Sequence, residues 1–240
     1  RAICLGLAAE GVKVAISYLA NPEANIDLGD EAAELAKVIR AGHGVKALPV
    51  GGDVAKEADI ERLFTAAERE LGPVDILVNN AGVWPTAFVR DMSEAEFSRV
   101  LQINLVGAFL TCREAVRRWL AAKRPGRIVN ITSQAAFNGA TSGHAPSAAS
   151  KDGLVSFSIS LAREVAPHGI HVNLVAPGMM RTEMARDALA ANEQRYMERI
   201  PLGRVAEASE VADVVVFLSS DRAKYMTGAT VDVTGGMLMR

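Results

Sequence analysis

The chain has 240 residues, 50% of them apolar, and a formal net charge of −2. That length suits one large α/β domain or two small ones, and the apolar share supports a sizeable buried core. Lys and Arg are scattered rather than clustered, which argues against a nucleic-acid partner; no apolar run is long enough to cross a bilayer, and neither His nor Cys recurs at metal-ligand spacing.

In chain order, residues 2–10 read as a helix. β-branched runs at 12–18, 45–50, 75–79, 127–132, 170–176 and 230–233 then alternate with amphipathic stretches at 30–41, 57–70, 93–122, 147–166, 183–200 and 209–219. The strands are continuous apolar runs, as expected where helices cover both faces of a sheet. This alternation predicts a doubly wound parallel sheet of Rossmann type, in one domain over 1–240 without linker or repeat. Cys4 and Cys112 show no disulfide spacing and read as small apolar residues in a reducing cytoplasm.

The opening is unusual. A βαβ nucleotide site needs a first strand and a Gly-rich turn, so that helix-end amides meet the pyrophosphate. Here the first helix begins directly at Arg1-Ala2-Ile3. The expectation is that the chain is N-terminally incomplete; a true start here would leave a central strand position empty and the neighbouring ladder groups unpaired.

Chemistry-bearing residues cluster after the strands. Asp53-Val54 follows the second strand, where a carboxylate can accept from an adenine amino group or simply shape a turn. Asn79-Asn80-Ala81-Gly82 ends the third, with small residues that let a backbone approach a flat ligand closely. Asn104 lies in the long 93–122 stretch, Ser133 follows Ile128-Val129-Asn130-Ile131-Thr132, and Lys151 closes Ser147-Ala148-Ala149-Ser150-Lys151. Pro177-Gly178-Met179-Met180-Arg181-Thr182 follows a further strand. Taken singly, Ser133 could be a strand-end cap, Asn104 a satisfied helix amide and Lys151 a solvated lysine.

Together, in this order, the segments resemble the short-chain dehydrogenase/reductase family over essentially the whole chain, nearest in pattern to β-ketoacyl-acyl-carrier-protein reductases and sugar or polyol dehydrogenases. Pro201-Leu202-Gly203-Arg204 and the Thr227–Gly236 ending belong to the resemblance. It implies hydride transfer between a nicotinamide and a carbonyl or secondary alcohol. Lys151 would hold the nicotinamide ribose and lower the pKa of a catalytic Tyr. Ser133 would bond the substrate oxygen, and Asn104 would hold a water linking Lys151 to solvent. Pro177, Gly178 and Met180 would border the nicotinamide, with Thr182 at its carboxamide or phosphate. Asn80, Ala81, Gly82, Asp53, Val54 and Ser17 would line the rest of the cofactor path.

One position departs from the family. The Tyr expected four residues before Lys151 is Ser147, whose hydroxyl is less acidic and several ångströms shorter. Among the remaining tyrosines only Tyr196 falls in a segment expected to cover substrate, and His144 reads as a loop residue at the pocket edge. The rival reading is a non-catalytic dinucleotide-binding or scaffold protein on the same fold. The strand at 12–18 ends Ile16-Ser17-Tyr18-Leu19 without an acidic residue, which favours NADP over NAD. Val83-Trp84-Pro85, Phe88 and a Met-rich cover are expected to border a small-molecule carbonyl or alcohol. Arg181, Arg186 and Arg195 read as scattered surface arginines rather than a carrier-protein dock. Leu154, Phe157 and Leu161 with Val155, Ala162 and Val165 make helix 147–166 apolar on several faces, which predicts a homo-oligomer, dimer or tetramer.

Overall fold

The computed structural model describes residues 1–140 and 143–240. Helix α1 (Ala2–Ala9) leads into strand β1 (Val14–Tyr18), and a small antiparallel pair, β2 (Ala20–Asn21) with β3 (Ile26–Asp27), follows it. Then come α2 (Gly29–His43), β4 (Ala47–Gly51), α3 (Glu57–Leu71), β5 (Ile76–Asn79), α4 (Glu94–Leu101), α5 (Gly107–Ala122) and β6 (Gly126–Ile131). The short α6 (Ala135–Asn138), long α7 (Ala145–Val165), β7 (Ile170–Pro177), β8 (Met180–Arg181), α8 (Arg186–Arg199), β9 (Ala206–Glu207), α9 (Ala208–Leu218) and β10 (Thr230–Val233) complete the chain.

The principal strands form two parallel blocks, β4-β1 and β5-β6-β7-β10. Helices α3, α5 and α7 cover one face around Phe64, Trp119 and Ile128. On the other face α1 and α2 pack on β1 and β4 around Ile39, while α9 packs on β6 and β7 around Val215. The predicted alternation and the doubly wound parallel arrangement are therefore present. Among the described residues no ladder joins β1 to β5. Residues 14–17 of one edge and 73–79 of the other border the same open space, and Val78 packs against the cores on both sides.

Local sequence explains the elements. In α3 the buried Ile60, Phe64 and Ala67 recur at helical spacing. Ser93 and Glu96 exchange bonds in a capping box that starts α4. Strand β7 is buried at seven of its eight positions, as a central parallel strand must be.

Two predicted helices are corrected. The 93–122 stretch is not one regular α-helix: a π turn over Gln102–Val106 separates α4 from α5. The 183–200 stretch begins only at Arg186, and Asn192 leaves helical geometry at φ −150°. Cys4 is half-buried, so only Cys112 meets the expectation of a fully buried thiol. Burial pushes the Cys112 thiol up to about 12.

Candidate functional site

Parallel strands put all their C-terminal ends on one edge, and loops following them converge there. The loops after β1, β4, β5, β6 and β7 line the upper part of a continuous open cleft of about 1310 Å³, which also runs down between β1 and β5 to Leu71, Pro73 and Arg124 at the other strand ends. Ser17, Asp53, Val54, Asn80, Ala81, Gly82, Ser133, Ser147, Lys151, Pro177, Gly178, Met180 and Thr182 all border it. Asn104 does not; it is buried at 1% exposure.

Lys151 lines the cleft between β6 and α7. It lies on α7 one turn after Ser147, so both side chains share a helix face. Its Nζ donates to the carbonyl of Ile131, at the end of β6, at 2.6 Å. The Thr132 hydroxyl donates in turn to the Lys151 carbonyl at 2.9 Å, which pins α7 to the strand end. Burial of the ammonium group brings the Lys151 pKa down to about 8. Ser133 Oγ accepts from the Ala135 amide at 3.1 Å, leaving its O–H free to donate into the cleft.

Asn104 ties the site to its surroundings. Its Oδ1 accepts from the Val83 amide at 2.8 Å, while its Nδ2 donates to the Val83 carbonyl at 3.1 Å and to Ser150 Oγ at 3.1 Å. The side-chain amide is thus engaged by protein at both ends and clasps the loop after β5. The π turn presents Asn104 for this, in keeping with the frequent placement of such turns at functional sites. Gly82 precedes the clasp, and a Cβ there would come within 3.2 Å of Asn104 Oδ1 and 3.6 Å of Lys151 Nζ. Glycine keeps that floor open.

A buried polar chain supports the floor. Thr111 donates to Asn79 Oδ1 at 2.6 Å, Asn79 to Asn130 Oδ1 at 2.9 Å, and Asn130 to Ser158 Oγ at 2.8 Å. It links α5, β5, β6 and α7 beneath the cleft. Thr111, Asn130, Ser150 and Ser158 escaped sequence reasoning. The available signal was a small polar residue interrupting an apolar strand or a buried helix face.

At the rim, Trp84 stacks on His144 with ring centroids 4.1 Å apart, and His144 Nδ1 bonds the Pro85 carbonyl at 3.1 Å. His144 is thus in the loop just before α7, as expected, and is buried there as a clamp between the Trp84 loop and the start of α7. Phe88, expected at the pocket, lies outside it at 55% exposure. Tyr196, Met179 and Met237 pack together in the cover on the opposite side, where the expected Met-rich lid lies.

Other candidates carry structural duties as well. Asp53 accepts from the Ala55 amide at 2.9 Å and from Asn21 Nδ2 at 3.1 Å, so the turn-shaping reading of this carboxylate holds. Thr182 Oγ1 accepts from Ala185 N at 3.2 Å. Arg181 pairs with Glu193 and Glu207, and Arg186 with Glu183 and Asp187, so neither offers an uncompensated basic patch. Among the described residues no group of three or more His, Cys, Asp and Glu could hold a metal ion.

Comparison with known proteins gives this geometry a family. A sequence model described as enoyl-(acyl carrier protein) reductase matches residues 1–238. The chain is 38% identical over 237 residues to the 3-oxoacyl-[acyl-carrier-protein] reductase FabG of Aquifex aeolicus, covering 99% of this chain and 92% of that relative. It is 42% identical over 187 residues to FabG of Escherichia coli, covering 78% and 76% respectively. A crystal structure described as a gluconate dehydrogenase from Agrobacterium tumefaciens superposes with TM-score 0.90 at 31% identity, over 100% of this chain and 91% of that one. With the strand-end cleft and the Ser133, Ser147 and Lys151 positions, these matches establish that the chain belongs to the short-chain dehydrogenase/reductase family of oxidoreductases.

Proposed function

We propose that the chain is an NADP-dependent carbonyl reductase of 3-oxoacyl type, slowed by Ser147 standing where the family has Tyr. The observation that carries this is the convergence of Ser133, Lys151 and Gly82 at the reaction end of one strand-end cleft. The cleft fits a dinucleotide: it runs from Ser17 and Asp53 at one end to Pro177, Gly178 and Thr182 at the other, and the Gly82 floor leaves room for a flat ring. A bound nicotinamide would supply the hydride. Ser17, Asp53 and Val54 would border the adenosine half, Asn80 to Gly82 the middle, and Lys151, Pro177, Gly178, Met180 and Thr182 the nicotinamide half. No carboxylate ends β1, where Ser17 is exposed, and this favours a 2′-phosphate over a free ribose hydroxyl.

The chain's own groups then act on the substrate. Ser133 donates to the carbonyl oxygen and holds it as charge develops. The cover formed by Met179, Tyr196 and Met237 shields the reacting carbon from water. The apolar character of that cover suits a β-keto ester or diketone, and the Ser133 hydroxyl equally a keto-sugar. Two unpaired thiols fit a reducing, cytoplasmic setting.

Nicotinamide fluorescence should show tighter binding of NADPH than of NADH. Ser147→Tyr should raise kcat for reduction of a panel of β-keto esters, diketones and keto-sugars by roughly 10²–10⁴-fold, the usual worth of a positioned acid. A second reading, a dinucleotide-binding protein without turnover, is favoured by Ser147 alone. It gains if the Tyr variant binds cofactor yet reduces nothing.

A further inference from the structure

We propose that in this chain Lys151 itself delivers the proton to the substrate oxygen, a role that rests on the reductase reading above. Ser147 ends well short of where a phenol would reach, and it is 8% exposed at the cleft wall. Lys151, on the same face of α7, borders the space so vacated. An ammonium has three N–H donors, and among the described residues Nζ uses one, toward Ile131 O. The others are available to a ligand. Nζ also lies at the floor beside Gly82. Ser133 lies two residues after Ile131, whose carbonyl Nζ bonds, and Ser133 and Lys151 border the same cleft.

The step balances without a further co-reactant beyond the reduced nicotinamide. As hydride adds to the carbonyl carbon, the C=O π pair moves to oxygen. The Nζ–H bond breaks with its electron pair staying on nitrogen, and an O–H bond forms. Neutral Lys151 then regains a proton from solvent. Nothing charged competes for that proton. The groups packed on Lys151 are the Ile131 carbonyl and Thr132 from β6, Asn104 from the π turn, Ser147 and Ser150 from α7, and Gly82. Burial alone lowers its proton affinity, to about 8, which leaves it protonated at neutral pH yet willing to give the proton up. The other phenol of the cleft, Tyr196, sits in the cover across from α7.

The test joins a direct titration to kinetics. With ¹⁵N-lysine, one side-chain resonance should titrate near pH 8 and vanish in Lys151→Met. Reduction by the unmodified chain should fall about tenfold per pH unit above that midpoint. Lys151→Arg, which keeps the charge but cannot release a proton, should lose at least 100-fold in kcat. The proposal is overturned if Lys151→Arg retains turnover or if no lysine titrates below pH 9. It is also overturned if the unmodified chain reduces nothing while Ser147→Tyr does; that outcome leaves the reductase reading standing, and inactivity of both removes the reading itself.

Discussion

Lys151 has no carboxylate partner, and its burial carries a stability cost that depends on pH. The folded pKa is depressed from 10.5 to about 8. The unfolded chain therefore binds more protons, and stability rises with pH between the two values. The penalty, about 3 kcal/mol, is complete below pH 8 and fades toward 10.5. Urea midpoints should move upward between pH 7 and 9 by the equivalent of roughly 1 kcal/mol, and Lys151→Met should flatten the trend. Above pH 9 the raised Cys112 thiol pulls the other way, because the unfolded thiol then ionises while the folded one stays neutral. Asn104→Ala should cost about 1–3 kcal/mol, since it strands the Val83 amide and carbonyl and the Ser150 hydroxyl. Chemical denaturation measures this, and a loss of cofactor affinity should accompany it as the Val83 loop is released. The Ser133, Ser147 and Lys151 positions, which all border the cleft, were readable in sequence through the ordered segments that resemble the family. The Asn104 clasp was not, because its partners are backbone atoms 21 residues away.

Element boundaries followed from patterning where one face is apolar and a cap residue is present, as in α3 and α4. The π turn was invisible because its five residues, Gln102–Val106, keep the same apolar-polar character as the helices on either side. What distinguishes them is a hydrogen-bond register, which composition does not record. Helix α5 also meets the sheet more closely than patterning reveals. A Cβ on Gly126 would come within 2.4 Å of the Trp119 ring, whose Nε1 donates to Val74 O at 2.7 Å. Gly126→Ala should therefore displace Trp119 and destabilise the fold by about 1–3 kcal/mol, read by thermal unfolding together with a change in Trp fluorescence.

At the scale of the molecule, helix α7 does not supply a free apolar face for assembly. Leu154, Val155, Leu161, Ala162 and Val165 are buried in the chain's own core, so their apolar character reports internal packing. Exposed apolar surface lies instead on α4 and α5, at Phe97, Phe109 and Leu120, with Phe157 of α7 packed edge-on to Phe109. These residues are the better support for a homo-oligomer, which light scattering would register as a mass of two or four chains. No described helix is long and apolar enough to cross a membrane.

The cleft is bordered by the ends of several strands at once. Ser17 lies near the end of β1, Asp53 follows β4, Ser133 follows β6 and Pro177 ends β7, and all four line it. A dinucleotide lying along the cleft would therefore touch segments from both parallel blocks together. Because it binds only the folded arrangement of those segments, its concentration would set how often they open: amide exchange after β1, β4, β6 and β7 should slow together as NADPH is raised, each by the factor by which ligand exceeds its dissociation constant.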